Sequence, residues 1–323
     1  MLKSDIVVGI DIGGTNTKIG LVNLEGKTLK EINLITTDYE EAQNFVDAVC
    51  LKIKEQVNHR ENNFNLRGIG IGAPNGNFYN GTIEFAPNLR WKGIIPMVEM
   101  IKNHFTDIPV VLTNDANAAA YGEMIYGDAR NLKHFILITL GTGLGSGIVV
   151  NGEMVYGHDG FAGELGHTTV FYNGRQCGCG RKGCLETYAS ATGIKRTVFE
   201  LLANEMEESI LKNYTFNHLT AKDIYEAAKA GDKIALKAFD FTADILAHKL
   251  ADAVAITSPE AIFLFGGLTA AGDFLFKPLR VYFEQYLLPI YKNKIKILPS
   301  GLQNANIAIL GSAALVIKEN HIK

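Results

Sequence analysis

The stretch VVGIDIGGTNTKIGLV, residues 7–22, reads as an apolar strand, a glycine turn and a second apolar strand. Asp11 closes the first strand, and Thr15, Asn16 and Lys18 surround the turn. A buried strand has no packing use for an acid at its end. Glycine lets backbone N–H groups come close to a ligand and adopt positive φ, which is how a chain cradles phosphate oxygens. A lone Gly-Gly pair is as readily a hairpin turn. Here, however, residues 135–157, FILITLGTGLGSGIVVNGEMVYG, repeat the outline, with Gly13 falling on Gly141 and Thr15 on Gly143. One unit used twice implies two related domains with a cleft between them, and two such turns could grip a polyphosphate.

Working outward from the first turn, residues 6–12, 17–24 and 29–36 pattern as strands, 40–58 as a helix, and 68–72 and 109–112 as strands again. An α/β fold follows. Residues 186–256 pattern mostly as helix, with Leu236, Phe239, Leu246, Leu250 and Val254 at helical spacing as core. AIFLF, 261–265, is a strand that runs into Gly266 and Gly267. NIAIL, 306–310, reads as a strand and GSAALVIKEN, 311–320, as a helix.

The 323 residues exceed one average domain, and 47% apolar residues supply a full core. With 31 basic against 34 acidic residues, the net charge of -3 offers no polybasic field for nucleic acid or anionic lipid. No apolar run reaches the roughly 18 residues of a membrane span, and Asp5 and Asp11 interrupt any leader-like start, so a cytoplasmic protein is expected. GxxxxGK[ST] is absent, which excludes a P-loop. GCGRKG, 178–183, has the letters of a dinucleotide fingerprint but no strand before it.

TNDANAAAYGEM, 113–124, follows the strand VVLT and sets Asn114 and Asp115 ahead of an alanine-rich helical run. Asp115 suits an ordinary N-cap. An acid at a strand end also suits a base that takes a hydroxyl proton, and the helix N-terminus favours its charged form. His167, Cys177, Cys179 and Cys184 are spaced H-x9-C-x-C-x4-C. One imidazole and three thiolates fit tetrahedral zinc with no open position, hence a structural site. Cys50 stands apart as a small buried apolar residue. Glu164 lies three residues before His167 and Glu186 two after Cys184, so a metal-folded loop gathers two carboxylates able to accept hydrogen bonds from sugar hydroxyls.

Together DIGGTNTK, GIGAPNG, NDANAAA, LGTGLGSGI, GELGH, CGCGRKGCLE and FGG resemble, in order, the ROK family of sugar kinases and repressors within the actin-like, hexokinase-type ATPase superfamily. The resemblance implies two duplicated actin-like (ribonuclease H-like) α/β domains with an interdomain cleft and a structural zinc loop. Because the last helix of the family returns to the first domain, it implies a small domain of residues 1–117 plus 300–323 and a large one of 118–299 carrying the zinc loop. Asp11, Gly13, Gly14, Thr15, Asn16 and Lys18 match the first phosphate loop, with Asp11 acting on Mg²⁺ through water. Gly141, Thr142 and Gly143 match the second loop, and Gly266 and Gly267 the segment beside adenosine. Asp115 matches the catalytic base. Asn88, Asn114, Asp115, Glu164, His167 and Glu186 match the sugar contacts, so that His167 serves both metal and substrate.

The activity implied is ATP-dependent phosphorylation of a hexose 6-hydroxyl in carbohydrate metabolism, with glucose first and N-acetylglucosamine or N-acetylmannosamine as alternatives. Asn75 where the family turn carries Pro-Gly, and Thr113 where an acid is usual, lie near the expected sugar pocket and leave that choice open. A sugar-sensing repressor is the rival of another class. Such relatives carry a helix-turn-helix before the first phosphate loop, where here eight residues precede Gly9. Homodimers or homotetramers are common in the family.

Overall fold

The computed structural model describes residues 3–59, 63–302 and 306–322. They form two compact units, one of Met1–Leu132, Met154–Ala162 and Gly301–Lys323, the other of Lys133–Glu153 and Gly163–Ser300. Among the described residues no helix is long and apolar enough to cross a membrane.

In the first unit β1 (Ser4–Ile12), β2 (Asn16–Asn23), β3 (Thr28–Ile35), β4 (Phe64–Ala73) and β8 (Val110–Asn114) form one sheet in the order β3-β2-β1-β4-β8. The first three strands run antiparallel as a meander, whereas β1, β4 and β8 are parallel neighbours. Alternation along β1 divides its faces. Ile6, Val8, Ile10 and Ile12 pack with Phe45, Val46, Val49 and Ile53 of α1 (Ala42–Val57), leaving Val7, Gly9 and Asp11 on the other face. A small sheet of β5 (Gly76–Asn77), β6 (Thr82–Glu84) and β7 (Ile94–Ile95), with α2 (Met97–Lys102), lies between β4 and β8 in the chain.

The last helix, α8 (Ile307–Glu319), covers that other face beside α3 (Asp115–Ile125). It starts at Ile307, so the strand expected at 306–310 is a helical turn. A helix apolar all round and buried against both a sheet and another helix loses the 3.6-residue contrast that would mark it, and its β-branched run then imitates a strand. Ser312 Oγ donates to the Ile10 carbonyl at 2.9 Å and so ties α8 to β1.

The close approach depends on glycine. A Cβ on Gly70 would stand 1.7 Å from the Ser312 carbonyl oxygen, and one on Gly9 2.1 Å from that of Ile309. Backbone cannot yield as a side-chain tip can. Gly70→Ala is therefore expected to cost about 3 kcal/mol, read as a lower urea midpoint at unchanged m-value; an unaltered midpoint would mean the helix can lift off freely.

The second unit repeats the plan. β9 (Phe135–Leu140), β10 (Leu144–Val150), β11 (Glu153–Met154), β12 (Ala261–Phe265) and β13 (Lys296–Pro299) are ordered β11-β10-β9-β12-β13, so both sheets have the strand order of one duplicated unit. β9 pairs antiparallel with β10 and parallel with β12. The helices are α4 (Ala191–Asn204), α5 (Ala221–Lys229), α6 (Lys233–Thr257) and α7 (Asp273–Tyr286). Ile136, Ile138 and Leu140 share a core with Phe239, Leu246, Leu250 and Val254 of α6 and Leu275, Leu279 and Phe283 of α7, while Leu236 is exposed. Ser190 caps α4, Asp232 caps α6, and Thr220 with Asp223 forms a capping box on α5.

Candidate active site

In the first unit the chemistry gathers at the carboxyl ends of the parallel strands, where open α/β sheets hold their ligands. Asp11 lies in register with Gly72 of β4, and Gly72 with Thr113 of β8, so the three strands end side by side. Across the hairpin Asp11 pairs with Lys18. The first glycine turn closes through Gly13 N–H donating to the Asn16 carbonyl at 3.0 Å, with Thr15, Asn16 and Lys18 exposed. Asn88, also exposed, is brought against this turn, since a Cβ on Gly14 would stand 2.5 Å from its carbonyl oxygen.

Asn114 ends β8 as the N-cap of α3, and its Oδ1 accepts from the Ala116 N–H at 2.8 Å. Asp115 Oδ1 accepts from the same N–H at 2.8 Å. Asp115 is reached by solvent, yet the protein packed around it disfavours its charge and raises its carboxyl above the usual range, against the pull of the Ala116 amide. The sequence argument that the helix N-terminus keeps this acid charged thus has the smaller of two opposing effects. Burial, and next the neighbouring Asp115, push Asp11 up to about 6, with Lys18 opposing. The two carboxyls are close enough that the charge of Asp115 adds to the rise at Asp11.

Buried Asn117, one helical position beyond Ala116, was not singled out in the sequence. Its Nδ2 donates to Thr113 Oγ1 at 3.4 Å, and its Oδ1 has no hydrogen-bond partner among the described residues.

The second unit holds the other glycine segments side by side, because β9 and β12 are adjacent parallel strands. Gly141 N–H donates to the Gly143 carbonyl at 3.1 Å, which closes the second turn with Thr142 exposed. Gly266 has φ 112, and a Cβ there would stand 2.6 Å from the Leu140 carbonyl oxygen, so the position admits only glycine. Gly267 follows, exposed, at the start of a short 3-10 turn.

The loop between β11 and α4 brings His167, Cys177, Cys179 and Cys184 together, with their ligand atoms all within 4.8 Å of one another. Cys177 Sγ is 3.7 Å from His167 Nδ1, and Cys179 Sγ is 3.7 Å from Cys184 Sγ. Bonds of about 2.3 Å to sulfur at tetrahedral angles put ligand atoms about 3.8 Å apart. The donor set and its spacing therefore fit zinc. With Nδ1 on the sulfur side, His167 Nε2 lies 3.9 Å from Glu164 Oε2. Glu186 instead turns to the glycine segment, where its Oε2 accepts from the Leu144 N–H at 3.0 Å.

Arg175, also unremarked in the sequence, anchors this loop. It donates to both carboxylate oxygens of Glu200 at 2.8 and 2.6 Å and to the Thr187 and Gly193 carbonyls at 2.7 and 3.1 Å, with its guanidinium over the Tyr188 ring. No spacing rule links Arg175 to these partners, so only the fold reveals them.

Asp11, the 13–16 turn, Asn88, Asn114 and Asp115 thus lie in the first unit, and Gly141–Gly143, Gly266, Gly267, Glu164, His167, Glu186 and the cysteines in the second. The arrangement offers two glycine cradles, an acid at the ends of β1 and β8, and a loop that gathers metal-binding side chains with further carboxylates.

The chain is 36% identical over 321 residues to a glucokinase of Halalkalibacterium halodurans, covering 97% of this chain and 96% of that protein. It is 34% identical to a glucokinase of Thermotoga maritima, with 96% of each covered. Among solved structures it is similar to a ROK family glucokinase from Streptomyces griseus in complex with glucose and AMPPNP, at a TM-score of 0.79 and 32% identity, covering 96% of this chain and 98% of that one. The ROK family model matches residues 7–319. On that match, and with the glycine turns and the His-Cys₃ loop in family order, the chain belongs to the ROK family.

Proposed function

We propose that this protein is an ATP-dependent glucokinase that transfers the γ-phosphoryl group to the 6-hydroxyl of glucose. The observation that carries the reading is Asp115, a solvent-reachable carboxylate at the start of α3, beside Asp11 and the strand ends that lead to the first glycine turn. Its similarity to glucokinases over nearly the whole chain supports the same reading.

Phosphoryl transfer needs positioning and charge neutralisation more than covalent help from the protein. The N–H groups of turns 13–16 and 141–143 hold phosphate oxygens, and Gly266 and Gly267 leave room for the adenosine. Asp11, an oxygen donor at the strand end, suits Mg²⁺ held through water, and that ion when bound neutralises phosphate charge. Asp115 accepts the proton of the attacking hydroxyl. Asn88, Asn114, Glu164, His167 and Glu186 orient the sugar hydroxyls, His167 through the ring nitrogen left over from the metal. Zinc, held by His167, Cys177, Cys179 and Cys184, supplies loop rigidity and no chemistry.

A coupled ADP-release assay with Mg·ATP across glucose, mannose, fructose, N-acetylglucosamine and N-acetylmannosamine tests this, with the highest kcat/KM expected for glucose. A preference for N-acetylglucosamine would move the assignment to an amino-sugar kinase, and no ADP release with any sugar would end the kinase reading.

A pH dependence follows from the raised carboxyls. The active form is deprotonated, so a raised pKa brings inactivation to higher pH. kcat/KM for glucose is expected to fall as pH drops through about 6, where Asp11 takes up its proton, with the raised Asp115 acting in the same direction. Between the usual carboxylate pKa and about 6 the folded state holds the Asp11 proton more readily than the unfolded chain, so this group favours the fold as pH falls through that window, and the raised Asp115 acts in the same direction. Loss of activity therefore does not reflect unfolding driven by them. A profile flat down to pH 5 would contradict the raised values.

A further inference from the structure

The second glycine turn is gripped by the metal loop at several points. Glu186 Oε2 accepts from the Leu144 N–H at 3.0 Å, while Oε1 of the same carboxylate lies 3.6 Å from Cys177 Sγ. A Cβ on Gly143 would stand 2.3 Å from Glu186 Oε2, so the carboxylate fills the space that a side chain in the turn would need. On the other arm of the loop, a Cβ on Gly166, immediately before His167, would stand 2.2 Å from the Leu144 carbonyl oxygen. Further along, Ala191 N–H donates to the Gly141 carbonyl at 2.9 Å, and the cap of that helix, Ser190 Oγ, donates to the Glu186 carbonyl at 2.7 Å.

Two of these contacts come from residues close to metal ligands in the chain. Gly166 adjoins His167, and Glu186 is two residues beyond Cys184. Fixing the ligands at tetrahedral spacing therefore fixes the two groups that touch Gly143 and Leu144. Whatever shifts this turn shifts Glu186 and Gly166, and with them the ligands.

We propose that the metal loop braces the second glycine turn, with Glu186 and Gly166 as positioning residues, so that zinc binding and nucleotide binding at that turn are thermodynamically linked. The nucleotide half rests on the kinase reading above, and the brace itself does not. Linkage is reciprocal, so Mg·AMPPNP must tighten zinc by the factor by which zinc tightens the nucleotide.

The experiment measures zinc affinity of the full chain by competition with a chromogenic chelator, with and without saturating Mg·AMPPNP and with no sugar present. Mg·AMPPNP is expected to tighten zinc about tenfold. Glu186→Ala is expected to reduce that factor to below about twofold. Glu186→Gln keeps an oxygen for the Leu144 N–H and is expected to retain it, whereas Glu186→Met keeps the bulk without that acceptor and is expected to lose it, which a role of bulk alone would not predict. Without nucleotide, Gly166→Ala is expected to weaken zinc about tenfold, because its methyl and the Leu144 carbonyl cannot share the space. The linkage is overturned if zinc affinity ignores Mg·AMPPNP in protein that binds it by calorimetry, or if Glu186→Ala leaves the factor intact. Unchanged zinc affinity in folded Gly166→Ala overturns the brace. Absence of any nucleotide binding would instead sink the kinase reading, while the Gly166→Ala arm still decides the brace.

Discussion

Asp115→Asn is expected to lower kcat for glucose phosphorylation by about 10²–10⁴-fold, with the glucose Kd changed little. Asparagine keeps the size of the side chain and an Oδ1 that can accept from the Ala116 N–H, now bonded at 2.8 Å, so the start of α3 survives. What it loses is a site for the hydroxyl proton. An interaction made only as the proton moves lowers kcat and kcat/KM together. Steady-state ADP release gives the rate, and calorimetric titration with glucose gives the affinity. Turnover within tenfold of wild type in a pure preparation would remove Asp115 from the base role, and a lost glucose affinity would make it a binding residue instead.

Loss of the metal has the second large effect expected. Cys184 is fully buried, and Glu186, two residues beyond it, and Gly166, just before His167, pack on the second glycine turn. Structural zinc contributes folding free energy directly, so Cys184→Ser, or exhaustive chelation, leaves this loop to hold itself by hydrogen bonds. The thermal midpoint should fall by about 10 °C or more, and turnover should be lost with it. Limited proteolysis supplies a local readout, because the sites that open first should lie at the exposed Tyr172 and Arg181 of the loop. A chelated protein with unchanged midpoint and cleavage pattern would show that the cysteines hold the loop without metal.

Much of the fold was legible because its signals are local. The strands of the first hairpin announce themselves by apolar runs broken at Gly13 and Gly14, and the second copy by the same outline at Gly141. The four residues able to hold a metal were legible because soft ligands crowd into a few residues of sequence, and the structure gathers them within 4.8 Å. The first turn of α8 was not, since Ile307, Ile309 and Leu310 are buried in a helix with little polar face to set its period. Neither was the rise of the Asp115 pKa, which depends on how much protein surrounds the carboxyl in three dimensions. Glu186 was noticed as an acid near the cysteines, but its bond to the Leu144 N–H spans 42 residues and leaves no mark in the spacing. The same holds for Arg175 and Glu200.

The position of α8 carries a consequence for biosynthesis. A ribosome adding about 5–20 residues each second finishes the strands of the first sheet long before residues 307–319 emerge, with all of Lys133–Ser300 made in between. For that interval the glycine-lined face of β1 and β4 has α3 beside it but lacks the helix that packs on Gly9 and Gly70. Chaperone dependence during translation should therefore fall on the amino-terminal half, and a transcript cut short of Ile307 should yield an aggregating fragment rather than a free-standing first unit.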